Sequence, residues 1–268
     1  MKRRTPPASP RSRRPAGARD AAGPPRHGLA RTLSKLGVCS RTEAARRVVD
    51  GRVQVDGVVV RDPEFPIVQS ATAAARLRVD GQPVAGPARR YLMLNKPRGL
   101  VTTTRDEQGR DTVYRCFEGA GLPWLAPVGR LDKASEGLLL FSNDPQWAAA
   151  VTDPAYGPEK TYHVQVDALP TPGQLQAMRE GVSDEGEWLR ASRVELLRSG
   201  ERHAWLEVVL DEGRNRQIRR LLASQQIGVL RLVRVAIGGL SLGDLPKGAW
   251  RTLDEVEWRA LAPAGNGG

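Results

Sequence analysis

The first apolar periodicity of the chain runs over residues 29–36 and stops at Gly37, which predicts a short helix closed by a glycine. A second helix follows at once. Ser40 stands three positions before Glu43, a spacing that predicts a capping box at the helix start, with Ala44, Ala45, Val48 and Val49 as the apolar face and Gly51 as the stop. Over residues 52–60 the period changes to two on either side of Asp56-Gly57, a pair that tolerates the positive φ of a tight hairpin turn. Small residues and turn formers from Ala71 to Ala75 and from Gly81 to Pro87 read as a linker. Beyond it, alternating or continuously apolar runs at 91–95, 137–142, 162–166, 204–210 and 229–236 predict strands. Asp144-Pro145 and Thr171-Pro172 each set a cap before a proline at the first helical position, the second stretch ending near Gly181. Strands interrupted irregularly by helices, with no βα repeat, predict an α+β fold on a largely antiparallel sheet.

A chain of 268 residues accommodates one medium domain and one small one. The pattern divides it into a tail over 1–26, a helix-hairpin unit with its linker over 27–87, a larger domain over 88–262 and a flexible end over 263–268. Net charge is +11, but residues 1–26 hold eight basic side chains against one acid and thus carry +7 of it, leaving a nearly balanced body. Six of the 20 prolines and no apolar run lie in that tail, so it is expected to stay disordered, as a solubilising arm or a phosphate-binding one. Arg3-Arg4 lacks the apolar segment of a secretion signal, and nothing elsewhere is long and apolar enough to span a bilayer. The expectation is a cytoplasmic protein, monomeric by default.

Cys39 and Cys116 fit no metal-ligand spacing and the three histidines are scattered, so neither a metal nor a disulfide framework is expected. No phosphate loop or dinucleotide fingerprint occurs, and no cofactor is expected. Arg31, Lys35, Arg41, Arg46, Arg47 and Arg52 cluster on the small unit, a density of cations that would repel itself unless a polyanion lay across it. In the larger domain, Asp132 stands on a turn directly before the 137–142 run, a rigid mount for a carboxylate at a cleft mouth. Taken alone, that spacing also fits a turn aspartate bonded to its own backbone.

Longer motifs narrow the choice. The stretch Leu29 to Val60, with Gly-Val-Cys-Ser-Arg-Thr-Glu-Ala-Ala and Gly-Arg-Val-Gln-Val-Asp-Gly, resembles the small RNA-binding module first known from ribosomal small-subunit protein four. Val-Gly-Arg-Leu-Asp-Lys-Ala-Ser-Glu-Gly-Leu-Leu-Leu-Phe-Ser-Asn-Asp from Val128 resembles the catalytic motif of pseudouridine synthases. Tyr-Leu-Met-Leu-Asn-Lys-Pro-Arg-Gly from Tyr91, Lys-Thr-Tyr from Lys160 and Gly-Arg-Asn-Arg-Gln-Ile-Arg-Arg-Leu from Gly213 resemble three further motifs of that family, in order. With the amino-terminal module, the chain is similar to the RsuA-type branch that modifies ribosomal RNA. Ser135 and Pro145 stand where that family more often has threonine and glycine.

The resemblance implies a small helix-hairpin RNA-binding domain followed by a mixed, mainly antiparallel-sheet pseudouridine synthase domain. It implies an isomerase that turns a uridine of ribosomal RNA, or of a ribosomal subunit precursor, into pseudouridine without a cofactor. Large-subunit RNA is the preferred target on family frequency and small-subunit RNA the second. Asp132 would be the essential aspartate, Tyr162 would stack on the base and Arg219 would pair with the carboxylate and orient it. Arg130 would enter the stack the extruded uridine leaves, although a structural salt bridge competes with that role. Lys96, Arg98, Lys160, Arg214, Arg216 and Arg220, with the six cations of the small module, would bind RNA. A half-buried sheet tyrosine is the plain alternative for Tyr162, and core packing for Leu232. For the whole protein, one alternative is a noncatalytic RNA-binding or ribosome-assembly protein on the same fold. Another is a tRNA-linked enzyme, against which the missing ATP-site signature counts.

Overall fold

A computed structural model describes residues 26–68, 73–84, 88–103, 106 and 108–262, so the expectations for the basic tail up to residue 25 and for 263–268 lie outside the described residues. In the small module α1 (Leu29–Lys35) ends at Gly37, whose φ of 72° makes the expected stop. α2 (Arg41–Val49) is capped by Ser40, whose Oγ accepts from the Glu43 amide at 3.1 Å. The reciprocal half of the expected box is not formed: the Glu43 carboxylate turns to Arg46 and Arg47, which offer charge where the Ser40 amide offers none. Val53–Val55 and Val58–Val59 form the expected hairpin, with Asp56 and Gly57 both at positive φ.

The linker reading of 71–87 needs correcting. Leu77–Val79 and Gln82–Pro83 form a second hairpin around Asp80 and Gly81, again both at positive φ, and Leu77–Val79 pairs with Val53–Val55 to make a four-stranded sheet. Leu77, Val79 and Val84 join Leu29, Leu33, Val48 and Val53 in the core of the module. The same Asp-Gly signal that marked the first hairpin was present, but the alanine run before it broke the periodicity.

The larger domain is built on a nine-stranded sheet. Its main path runs Arg193–Ser199, Ala204–Leu210, Lys160–Val166, Val229–Ile237, Glu136–Ser142, Tyr91–Lys96, Trp250–Thr252. Every pairing is antiparallel except that of Val229–Ile237 with Glu136–Ser142. Alternation along each strand sends successive side chains to opposite faces. On one face Tyr91, Met93, Leu138 and Leu140 are covered by α3 (Pro145–Thr152) and α6 (Glu255–Leu261) through Trp147, Val151 and Leu261. Asp144 caps α3 by accepting from the Gln146 and Trp147 amides, so Pro145 sits at the first helical position at no cost to the ladder. On the other face lie two separate apolar clusters. Val164, Leu206 and Leu232 pack with α4 (Pro172–Glu180) and α5 (Gln217–Ser224), whereas Leu92, Leu94, Leu139 and Phe141 pack with Val113, Leu125 and Leu131. Tyr162 packs against both, so it sits at their junction.

Across that junction one row of the sheet runs Lys96, Gly137, Arg234, Tyr162, each paired with the next. Gly137 cannot be replaced in this row: its φ is 100°, and a Cβ there would lie 2.2 Å from the Arg234 carbonyl oxygen. Gly137→Ala is expected to cost at least about 2 kcal/mol in a urea denaturation, because strain and overlap with backbone add.

Candidate active site

The segment 129–135 leaves the sheet between the short strand Ala126–Val128 and Glu136–Ser142, and it is fixed by backbone anchors more than by its own side chains. The Ser135 amide donates to the Asp132 carbonyl at 2.9 Å, and the Gly99 amide donates to the Lys133 carbonyl at 2.8 Å. Thr102 Oγ1 donates to the Leu131 carbonyl at 2.7 Å while the Leu131 side chain is buried in the core. Beneath the turn, Lys96 Nζ donates to the carbonyls of Ser135, Pro97 and Asp132 at 2.8, 3.1 and 3.2 Å. Lys96 has 0% of its surface exposed. Its expected contact with RNA is therefore corrected: the ammonium is spent inside the protein as a clamp on the turn. Burial pulls its pKa down to about 8, against the opposing pull of Asp132 and Glu136.

With its backbone held, the Asp132 side chain is 42% exposed and points at the start of α5. The cation within ion-pair distance is Arg216, at 3.6 Å between Nη1 and Oδ2, and not Arg219 as the motif implied. The reason is local. Arg216 is the residue before α5 and takes a left-handed backbone conformation, φ 50° and ψ 30°, which turns its side chain toward the loop. Arg219 lies a turn further on, with its Nε buried and unpaired. Burial lowers its pKa, Arg216 and Arg98 add to that effect, and Asp132 opposes it, so three guanidinium groups share one carboxylate. The Arg216–Asp132 pair is long and open to water, which limits it to under about 1 kcal/mol.

Tyr162 lies opposite Arg234 and Val208 in the sheet, partly buried. Arg234 is buried, donates from Nε to the Leu138 carbonyl at 2.7 Å, and keeps an unpaired Nη2. Lys160, two residues before Tyr162, is held below its usual pKa by burial and then by Arg234. Leu232 is buried among the core residues beside Tyr162. Arg130 and Arg98 are exposed. Arg220 is also corrected: its guanidinium binds Asp184 and Glu187, with only 18% of the side chain exposed, and ties α5 to the hairpin of Val182–Asp184 and Glu187–Leu189. Arg214 pairs with Glu212 and faces Glu187, so it too is partly neutralised.

Sequence reasoning missed Glu136, which is buried and receives both Arg231 and Lys247. It directly follows the turn, so this cluster anchors the loop's exit to two other parts of the domain. A glutamate directly before an apolar run was the signal. In the small module most of the clustered cations are compensated within the protein, contrary to the expected self-repulsion. Arg46 and Arg47 pair with Glu43, Arg52 with Asp80 and Arg41 with Glu64, while Arg31 and Lys35 lie about His27 with no carboxylate partner among the described residues. Desolvation and then these two cations depress the pKa of His27. Among the described residues no group of three or more His, Cys, Asp or Glu side chains is placed to hold a metal, and no helix is long and apolar enough to cross a membrane.

The sheet is thus split into two half-cores with Tyr162 at their junction, and the Asp132 turn faces the arginine-bearing start of α5. The profile described as RNA pseudouridylate synthase matches residues 90–224, and the S4 domain profile matches residues 28–71. An uncharacterized RNA pseudouridine synthase of Aquifex aeolicus (strain VF5) is 35% identical over 240 residues, covering 87% of this chain and 92% of that protein. One of Mycobacterium tuberculosis (strain CDC 1551 / Oshkosh) is 36% identical over 237 residues, covering 85% and 90%. A crystal structure of a pseudouridylate synthase superposes with a TM-score of 0.60 at 26% identity, covering 88% of this chain and 100% of that one. The chain belongs to the RNA pseudouridine synthase family and carries an amino-terminal S4 domain.

Proposed function

We propose that the protein converts a specific uridine of ribosomal RNA to pseudouridine, with Asp132 as the catalytic carboxylate. The observation that carries this reading is the mount of Asp132: a turn whose carbonyls are clamped by a buried ammonium while its half-exposed carboxylate faces the Arg216 guanidinium. Such fixation is what a reacting group needs, since little reorganisation is left for the moment of reaction. Asp132 initiates cleavage of the bond between ribose C1′ and uracil N1. The base turns, a bond forms from C1′ to C5, N1 gains a proton and C5 loses one, so no external reactant is consumed. Tyr162 supplies a ring on which the target base stacks, and its phenol is placed to take part in the proton transfer. In the RNA complex Arg219, whose Nε is unpaired in the free protein, turns to the carboxylate and orients it, and Arg130 fills the space the extruded base leaves in its helix. Arg98, Lys160, Arg214 and Arg216 meet phosphates around the cleft. The site of action is the cytoplasm, where ribosomal subunits form.

Large-subunit RNA is the first substrate to test and small-subunit RNA the second. Pseudouridine formation releases the hydrogen of C5, so tritium release from transcripts carrying [5-3H]uridine counts turnovers. Purified protein is expected to release about one equivalent from one of the two transcripts, and release from neither would remove the reading. The small module is proposed to dock RNA through its uncompensated cations. Arg31→Ala with Lys35→Ala is expected to weaken RNA binding and to lower the slope of log K against log salt by roughly 0.7–0.9 for each phosphate no longer neutralised. Arg52→Ala, which breaks a pair with Asp80, is expected to act chiefly on the stability of the module.

A further inference from the structure

We propose that Arg216 guards Asp132 while the protein is free of RNA and moves to an RNA phosphate in the complex, the carboxylate passing to Arg219. This rests on the functional reading above and extends it to the order of events at the site. Four observations point the same way. The Arg216–Asp132 contact, at 3.6 Å, is longer than a hydrogen bond and open to water, so it is easily given up. Arg216 holds its direction through a left-handed backbone that side-chain-bearing residues seldom adopt, and such strain persists where the surroundings impose it. On the next turn of the helix, Arg219 Nε is buried without an acceptor, a deficit that a carboxylate oxygen would remove. Finally, Arg216 and Arg98 both oppose the charge on Arg219 while Asp132 favours it, and Lys96 lies beneath the same turn, so cations outnumber the one carboxylate.

That excess of positive charge is the complement of an RNA backbone. A phosphate at Arg216 draws it off the carboxylate, and with Lys96 held on the backbone carbonyls the guanidinium next along the helix, Arg219 with its unpaired Nε, takes the carboxylate over. In the free protein Arg216 is the guanidinium beside the carboxylate, and the weakness of that contact lets an incoming phosphate replace it.

The test separates affinity from rate, using labelled ribosomal RNA transcripts and the full-length protein. Arg216→Gln is expected to lower RNA affinity and kcat/KM by about tenfold, to reduce the salt slope by roughly 0.7–0.9, and to lower the rate at saturating RNA by no more than about threefold. Arg219→Gln is expected to do the opposite, with affinity within about twofold of wild type and a saturating rate down by about 100-fold or more. Arg216→Gly should raise Tm, because glycine takes a left-handed conformation freely, while weakening RNA binding as the glutamine variant does. Equal losses of saturating rate in Arg216→Gln and Arg219→Gln, with an unchanged salt slope, would overturn the exchange. So would an Arg216→Gln protein equal to wild type in affinity, slope and rate. A wild type that binds the transcripts but forms no pseudouridine removes the functional reading, and the salt slope then still decides whether Arg216 meets a phosphate.

Discussion

Asp132→Asn is expected to bind ribosomal RNA within about twofold of wild type and to lose pseudouridine formation by about 10⁴-fold or more under single-turnover conditions. The substitution keeps size and shape, and none of the backbone anchors of the turn involves the Asp132 side chain: they are the carbonyls of Leu131, Asp132, Lys133 and Ser135. The loop should therefore keep its place while the reactive anion is gone. The measurement is a filter-binding curve beside a single-turnover time course on the same transcript. A variant that lost RNA binding in parallel with rate would instead mark Asp132 as a docking residue.

The second large effect is expected at Lys96. Lys96→Met keeps the buried volume roughly constant but removes a donor to three carbonyls, two of them within the Asp132 turn. The Asp132 carbonyl keeps the Ser135 amide, whereas those of Pro97 and Ser135 lose the ammonium; buried acceptors left without a partner cost about 1–3 kcal/mol each, partly offset because a charge no longer has to be buried, so a net loss on the order of 2–3 kcal/mol is expected in chemical denaturation. Activity should fall by about 100-fold or more at temperatures where the variant is still folded, because the mount of Asp132 loosens. The lysine also sets a pH dependence. Its folded pKa of about 8 lies below the ordinary value of 10.5, so the cost of keeping it charged in the fold is full below pH 8 and disappears as pH rises toward 10.5. Stability of wild type relative to Lys96→Met should accordingly rise across that window. Activity should move the other way, since a neutral amine donates two hydrogens and cannot serve three carbonyls. An alkaline limb of kcat with an inflection near pH 8 is expected, and its absence would show that the clamp is dispensable.

Strands, caps and the first hairpin of this chain could be read from local signals, because each depends on residues a few positions apart. Asp132 on its turn, Tyr162 on its strand and the arginine-rich helix start were legible for the same reason. What the sequence did not reveal depends on partners far along the chain. A lysine reads as a surface residue, and only the folding of 96 against 132–135 shows that Lys96 is enclosed. Arg220 looked like a phosphate ligand until Asp184 and Glu187 came beside it, and Arg52 until Asp80 did. Arg216 and Arg219 are equivalent candidates by spacing. The left-handed backbone at Arg216, which no residue pattern announced, decides which of them touches the carboxylate.

That Asp132 makes a pseudouridine in ribosomal RNA is the central claim, and it is tested most directly in cells. Carbodiimide mapping of both ribosomal RNAs from a strain lacking this protein should show one modified site missing. Wild-type protein supplied from a plasmid should restore it, and Asp132→Asn protein expressed to the same level should not. Persistence of every site in the deletion strain, or full restoration by the asparagine variant, would contradict the account.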